Sequence, residues 1–226
     1  MTIQCVPAVV FDLDGTLADT AADIRRALNR ALAADDLPPL DVATVRLMIG
    51  GGPRLLISRA LQKLGVNAGQ YVIDRLTKAF YDEYLRQENV ETTLFDGAET
   101  CLEHLKSTGI KIGLCSNKPD EHCRKLLTDL GVASYFDVIQ GSGAGLPRKP
   151  DPAPLLWTIE RLGAMPFATL YIGDSETDVL TARAAGVPIV LVSYGYTARP
   201  AADLGADEVY DSLADITGPC PMAESA

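Results

Sequence analysis

The sequence predicts an α/β protein, a Rossmann-like parallel-sheet core into which an all-α helical cap is inserted after the first strand. Three observations carry this reading. Short β-branched apolar runs alternate with amphipathic stretches along most of the chain, the pattern of strands buried on both faces and joined by helices. Between Asp19 and about Asn89 the alternation stops and only helical patterning remains. Two of the apolar runs end in closely spaced aspartates, where an open parallel sheet places its ligands.

The elements follow in order. Ala8 to Phe11 forms the first strand. In the insert, Thr20 with Asp23 approximates a capping box, with Asp where Glu is usual. Val72, Leu76, Phe80 and Tyr84 share one helical face, as do Leu55, Leu56, Arg59 and Ala60 less cleanly. The segment 91–97 returns the chain to the core. Ile110 to Cys115 is the second strand, Phe136 to Ile139 the third, Ala168 to Ile172 the fourth and Ile189 to Val192 the fifth, with a weaker Glu208 to Tyr210 after them. Pro119, Asp151-Pro152 and Ser175 open helices. Gly109, Gly131, Gly163 and Gly186 stand where helices stop. With right-handed crossovers the strand order is third-second-first-fourth-fifth, with a possible sixth at the edge. The expected division is a core of 1–18 and 91–226 and a cap of 19–90, with a loosely attached tail from Gly218 to Ala226.

The chain has 226 residues, 47 % of them hydrophobic and 22 % charged, which excludes a disordered or collagen-like polymer. Thirty acidic against 20 basic residues leave a net charge of −10. That balance opposes binding to nucleic acid or to an anionic membrane. No apolar run approaches the length of a membrane span, and the stretch MTIQCVPAVVFD lacks a basic leader. A cytoplasmic protein, monomeric or a small homo-oligomer, is expected. The cysteines are 5 in number, Cys5, Cys101, Cys115, Cys123 and Cys220, without a C-x-x-C pair; reduced thiols are the simplest reading, with Cys115 in the core.

The chemistry gathers at strand ends. The first strand ends Phe11-Asp12-Leu13-Asp14-Gly15-Thr16. Side chains two apart on a strand share a face, so Asp12 and Asp14 are expected to repel one another and to favour a divalent cation. Gly15 permits a sharp turn whose N–H groups face an anion. The second strand ends Ser116-Asn117-Lys118, an anion site or a plain helix cap. The fourth ends Gly173-Asp174-Ser175-Glu176-Thr177-Asp178, with Asp174 at the tip and Asp178 on the first helical turn. Lys149 lies in a proline-flanked loop, as a site residue or a solvated charge. The assumed strand order brings these groups together around one phosphate-sized anion.

This constellation resembles the haloacid dehalogenase-like hydrolase superfamily. FDLDGTLADT is similar to its first motif, Ser116 to its second, Lys149 to its third and GDSETD to its fourth. The stretches IGGGPRLLISRAL and GDSETDVLTARAAGVPIVLVSYGY most resemble bacterial phosphoglycolate phosphatases. The resemblance implies Mg²⁺-dependent hydrolysis of a small phosphorylated metabolite, 2-phosphoglycolate. Asp12 is then the nucleophile forming an aspartyl-phosphate, and Asp14 the acid and base. Mg²⁺ is held by Asp12, the Asp14 backbone carbonyl and Asp174, and Lys149 offsets charge repulsion. Ser116 and Asn117 with Gly15 and Thr16 meet the substrate, and Asp178 acts through a metal-bound water or Lys149. In the cap, the loop from Gly50 to Gly52 reaches the site, and Arg54 is placed either to pair with a substrate carboxylate or as a surface charge. A β-phosphoglucomutase-like phosphomutase, a sugar phosphatase and a pyrophosphatase share these motifs. A dehalogenase does not need Asp14. A receiver-like phosphoacceptor switch needs neither the cap nor Asp14.

Overall fold

The structure, a computed structural model, describes residues 6–86, 90–143 and 145–216. The expectations for Cys5, Cys220 and the Gly218 to Ala226 tail lie outside them. The described elements open with β1 (Ala8–Phe11) and a two-residue β2 (Ala18–Asp19). It continues through α1 (Ala21–Ala33), α2 (Val42–Arg46), α3 (Pro53–Lys63) and α4 (Gln70–Arg86). After β3 (Thr93–Leu94) come α5 (Ala98–Ser107), β4 (Lys111–Pro119), α6 (Asp120–Asp129) and β5 (Val138–Ser142). The chain then forms α7 (Ala153–Arg161), β6 (Thr169–Gly173), α8 (Glu176–Ala185), β7 (Ile189–Val192) and β8 (Glu208–Tyr210).

The parallel sheet runs β5-β4-β1-β6-β7-β8, which is the expected order with the sixth strand in place. Alternation along β1 explains its layering. Val9 and Phe11 face one apolar cluster with Leu102 of α5 and Leu126 of α6. Ala8 and Val10 face the other, with Ile159 of α7 and Ala182 of α8. All four β1 residues are buried, so a run with no polar position is what the topology requires. A third apolar cluster joins Leu28 of α1, Ile57 of α3 and Leu76 of α4. No helix among the described residues is long and apolar enough to cross a membrane.

Three local features depart from the sequence reading. The ribbon β2–β3 pairs Ala18 with Leu94 and Asp19 with Thr93 where the chain leaves the sheet and returns; at two residues per strand it carries no periodicity to read. Thr20 does not form a capping box with Asp23. Its backbone is already helical, at φ −98° and ψ −2°, and its hydroxyl donates to Asp14 at 2.7 Å. Asp23 instead accepts from the Thr92 N–H at 2.9 Å and hydroxyl at 2.6 Å. Finally, β4 runs past Cys115 to Pro119, because the polar residues Ser116 to Lys118 are themselves buried.

Leu76 is fully buried among the helices of the third cluster. Leu76→Ala is expected to cost about 3 kcal/mol. Amide exchange should register the loss in α1 and α4 while β1 and β6 stay protected. Equal loss across the sheet would show the helices and the sheet to unfold as one unit.

Candidate active site

The central strands deliver their ends to one place. Asp12 follows β1, held by its N–H to the Ile172 carbonyl at 2.9 Å. Gly15 then turns the chain at φ +86°, where any Cβ would collide with the Asp174 carboxylate, so only glycine fits. Asp174 follows β6, and Asp178 occupies the first turn of α8, where its carboxylate accepts from the Ser175 N–H at 3.1 Å. Asp12, Asp174 and Asp178 are all buried, and their carboxylates bring oxygens within 4.8 Å of one another.

Lys149 enters from the loop before α7. Its Nζ lies 2.7 Å from Asp178 Oδ1 and 3.1 Å from Asp12 Oδ1. Burial would strip its proton, but Asp12 and Asp178 outweigh burial and raise its pKa. Burial pushes the Asp12 carboxyl up to about 6, partly offset by Lys149. Asp174 is pushed well above the usual carboxylate range by burial and by Asp178 and Asp12. Burial would also raise Asp178, yet Lys149, Ser175 and Tyr171 hold it below its ordinary value.

These directions divide the three acids by role. Every oxygen of Asp178 is engaged, Oδ1 by Lys149 and the Tyr171 hydroxyl at 2.8 Å, Oδ2 by Ser175 and the Asp174 N–H at 3.3 Å. Asp12 and Asp174 are left with negative charge that one lysine does not balance. An all-oxygen donor set with uncompensated buried charge fits a hard divalent cation.

Asp14 departs from the expected arrangement. It does not join the carboxylate cluster, because β1 ends at Phe11 and the strand alternation no longer applies. Its Oδ1 accepts instead from Lys118 Nζ at 2.7 Å and from Thr20. The Lys118 ammonium is buried 4.7 Å from the Tyr84 ring centroid. Sequence reasoning passed over Lys118 as part of a helix entry. The available signal was its place beside Ser116 and Asn117 at the end of the second strand.

Ser116 stands beside Asp12, and its hydroxyl lowers the Asp12 pKa against the effect of burial. The other residues expected at the substrate have partners within the protein. Gly15 donates its N–H to the Ala18 carbonyl at 3.0 Å, within its own turn. Thr16 is fully buried with its hydroxyl 3.4 Å from Asp174. The Asn117 amide accepts from the Lys149 N–H at 2.9 Å and donates to the Lys149 carbonyl at 3.0 Å, so it fixes the Lys149 loop. Arg54 is turned away onto α4, where Asp74 and Gln70 bind its guanidinium. The Gly50 loop does reach the site, since the Gly50 carbonyl accepts from Asn117 at 3.2 Å.

A cavity of about 50 Å³ lies between the strand ends and the helical layer, with Asp12, Asp14, Ser116 and Lys118 on one side and Ile49, Leu56, Phe80 and Tyr81 on the other. That is room for only a few water-sized groups.

The charge imbalance predicts a measurable conflict. The Asp12 pKa is higher folded than unfolded, so its contribution to stability is complete below pH 3.8 and is lost as pH rises through about 6. The shift corresponds to about 3 kcal/mol against the metal-free fold at neutral pH. Asp12→Asn is expected to raise the thermal midpoint of the metal-free protein at pH 7. It should also abolish the further rise given by a divalent cation. A lowered midpoint with the cation response intact would refute both.

Comparison with known proteins agrees with this geometry. Residues 9–192 match the family model described as haloacid dehalogenase-like hydrolase. The phosphoglycolate phosphatase of Rhodospirillum rubrum is 42 % identical over 213 residues, 92 % of this chain and 88 % of that one. That of Caulobacter vibrioides is 39 % identical over 212 residues, 94 % of this chain and 90 % of that one. A crystal structure from Haemophilus somnus, titled a predicted phosphoglycolate phosphatase, is 29 % identical, with a TM-score of 0.86 over 96 % of this chain and 97 % of that one. With the family model spanning both aspartate-bearing strand ends and Lys149, the chain belongs to the haloacid dehalogenase-like hydrolases.

Proposed function

We propose that this hydrolase is a phosphatase that cleaves 2-phosphoglycolate to glycolate and phosphate through an aspartyl-phosphate on Asp12. The observation that carries the proposal is the buried Asp12, held beside Lys149 and Asp174 and lining a small cavity under the helical layer. The substrate assignment is supported by the relatives named phosphoglycolate phosphatase.

In the first displacement an Asp12 oxygen bonds to phosphorus as the bond to the glycolate oxygen breaks. Asp14 gives that oxygen its proton. In the second, Asp14 takes a proton from water, the water oxygen attacks phosphorus, and phosphate leaves Asp12. Lys149 balances the charge of the attacking carboxylate, and Ser116 orients the phosphoryl oxygens. Mg²⁺, held by Asp12, Asp174 and the Asp14 carbonyl, would offset the repulsion between carboxylate and phosphate.

Asp14 acts as an acid only once it leaves its ion pair with Lys118. A substrate carboxylate competing for Lys118 would release it, coupling the acid to the arrival of the right ester. The α1–α4 layer serves as the cap of 19–90, and its Ile49, Leu56 and Phe80 would exclude bulk water. Asp178 acts through Lys149, and Asn117 through the backbone of the same loop.

The test is phosphate release from 2-phosphoglycolate, glucose 1-phosphate and pyrophosphate, with and without Mg²⁺. Preference for 2-phosphoglycolate, lost in chelator and in Asp12→Asn, is the expected result. Asp14→Asn should slow turnover by about 10²- to 10⁴-fold. Isomerisation of the sugar phosphate in place of hydrolysis would indicate a mutase, and release surviving in Asp12→Asn would overturn the mechanism.

A further inference from the structure

We infer that His122 is a substrate-recognition residue that hydrogen-bonds the carboxylate of the leaving group. The inference rests on the phosphatase reading above and adds a residue to it. His122 lies on the first turn of α6 and lines the cavity with Asp14 and Lys118. It is 5 % exposed, yet neither Nδ1 nor Nε2 has a hydrogen-bond partner among the described residues. A buried imidazole normally satisfies at least one of its nitrogens.

The ring is nonetheless held with care. It stacks on Tyr81, at 6.2 Å between centroids and 9° between planes. It meets Tyr84 edge-on, at 5.0 Å and 68°. Both tyrosines belong to α4, so the helical layer fixes the orientation of a core side chain. A phenylalanine would fill the same aromatic cradle without stranding two polar atoms. The stranded nitrogens are accounted for by a ligand entering the cavity.

The neighbours define that ligand. Burial and the nearby Lys118 charge hold His122 at about 4, so at neutral pH it offers one N–H and one acceptor. Lys118 supplies the positive charge, and a neutral imidazole beside it donates a hydrogen bond without adding a second cation. This pairing suits a carboxylate. The phosphoryl end is taken by Asp12, Ser116 and Lys149, which leaves His122 for the far end of a two-carbon acid.

The experiment compares kcat/KM for 2-phosphoglycolate and for ethyl phosphate, which has the same length but no carboxylate. His122→Phe is expected to lower kcat/KM for 2-phosphoglycolate about ten- to a hundredfold, the range of one hydrogen bond to a charged group. Ethyl phosphate should change by less than about twofold. The thermal midpoint of the free protein should hold or rise, because the orphaned nitrogens are gone. His122→Gln, which keeps a donor, should recover part of the preference. Equal losses on both esters, or no loss on either, would overturn the role of His122 while the phosphatase reading stands. A wild-type enzyme that turns over both esters equally would overturn the substrate assignment and the inference with it.

Discussion

Lys149 Nζ sits between Asp178 and Asp12, and the surrounding structure is arranged to keep it there. Three buried carboxylates meet in one place, and without an ammonium among them the fold would carry several unpaired charges in a low-dielectric interior. Asn117 grips the Lys149 backbone from both sides, the Tyr171 hydroxyl approaches Nζ at 2.8 Å, and Asp178 is itself anchored by Ser175 and the Asp174 N–H. These contacts join β4, β6, α8 and the loop before α7. One cation thus ties together the elements that flank β1.

The same arrangement leaves a deficit. Lys149, Tyr171, Ser175 and the Asp174 N–H together satisfy Asp178, and Lys149 satisfies Asp12 in part, while among the described residues Asp174 receives only the Tyr196 N–H at 2.6 Å and the more distant Thr16 hydroxyl. A nucleophilic carboxylate must stay weakly held to attack, and a metal site must retain charge to attract its ion. The proposed function would therefore occupy the part of the cluster that folding alone would have neutralised. His122 repeats the pattern on a smaller scale, with buried polar atoms left unmatched beside a pair, Asp14 and Lys118, that is closely matched.

The helical layer and the sheet meet over this imbalance. Gly50 brings its carbonyl to Asn117, and Tyr84 covers Lys118 while Tyr81 covers His122. Apolar and aromatic side chains on one wall raise the strength of every charge on the other by excluding water. The layer keeps its own apolar cluster, so it can present this wall without drawing on the core packing of the sheet.

The sequence by itself determined the parallel sheet, its strand order, the helical insert and the aspartates at the strand tips. Period and apolarity are local properties, and Ala8 to Phe11 or Ile189 to Val192 declare them within four residues. A glycine after each of several helices and a serine before α8 are equally local signals. Tertiary structure decided what each polar residue faces. Asp14 turned from the carboxylates to Lys118, 104 positions away. Thr20 gave its hydroxyl to Asp14, Asp23 went to Thr92, and Asn117 closed on Lys149. Arg54, on α3, was taken by Asp74 of α4. Such partnerships depend on which charges and donors the fold brings within hydrogen-bond reach, and hydrogen bonds between residues remote in sequence leave no periodicity along the chain.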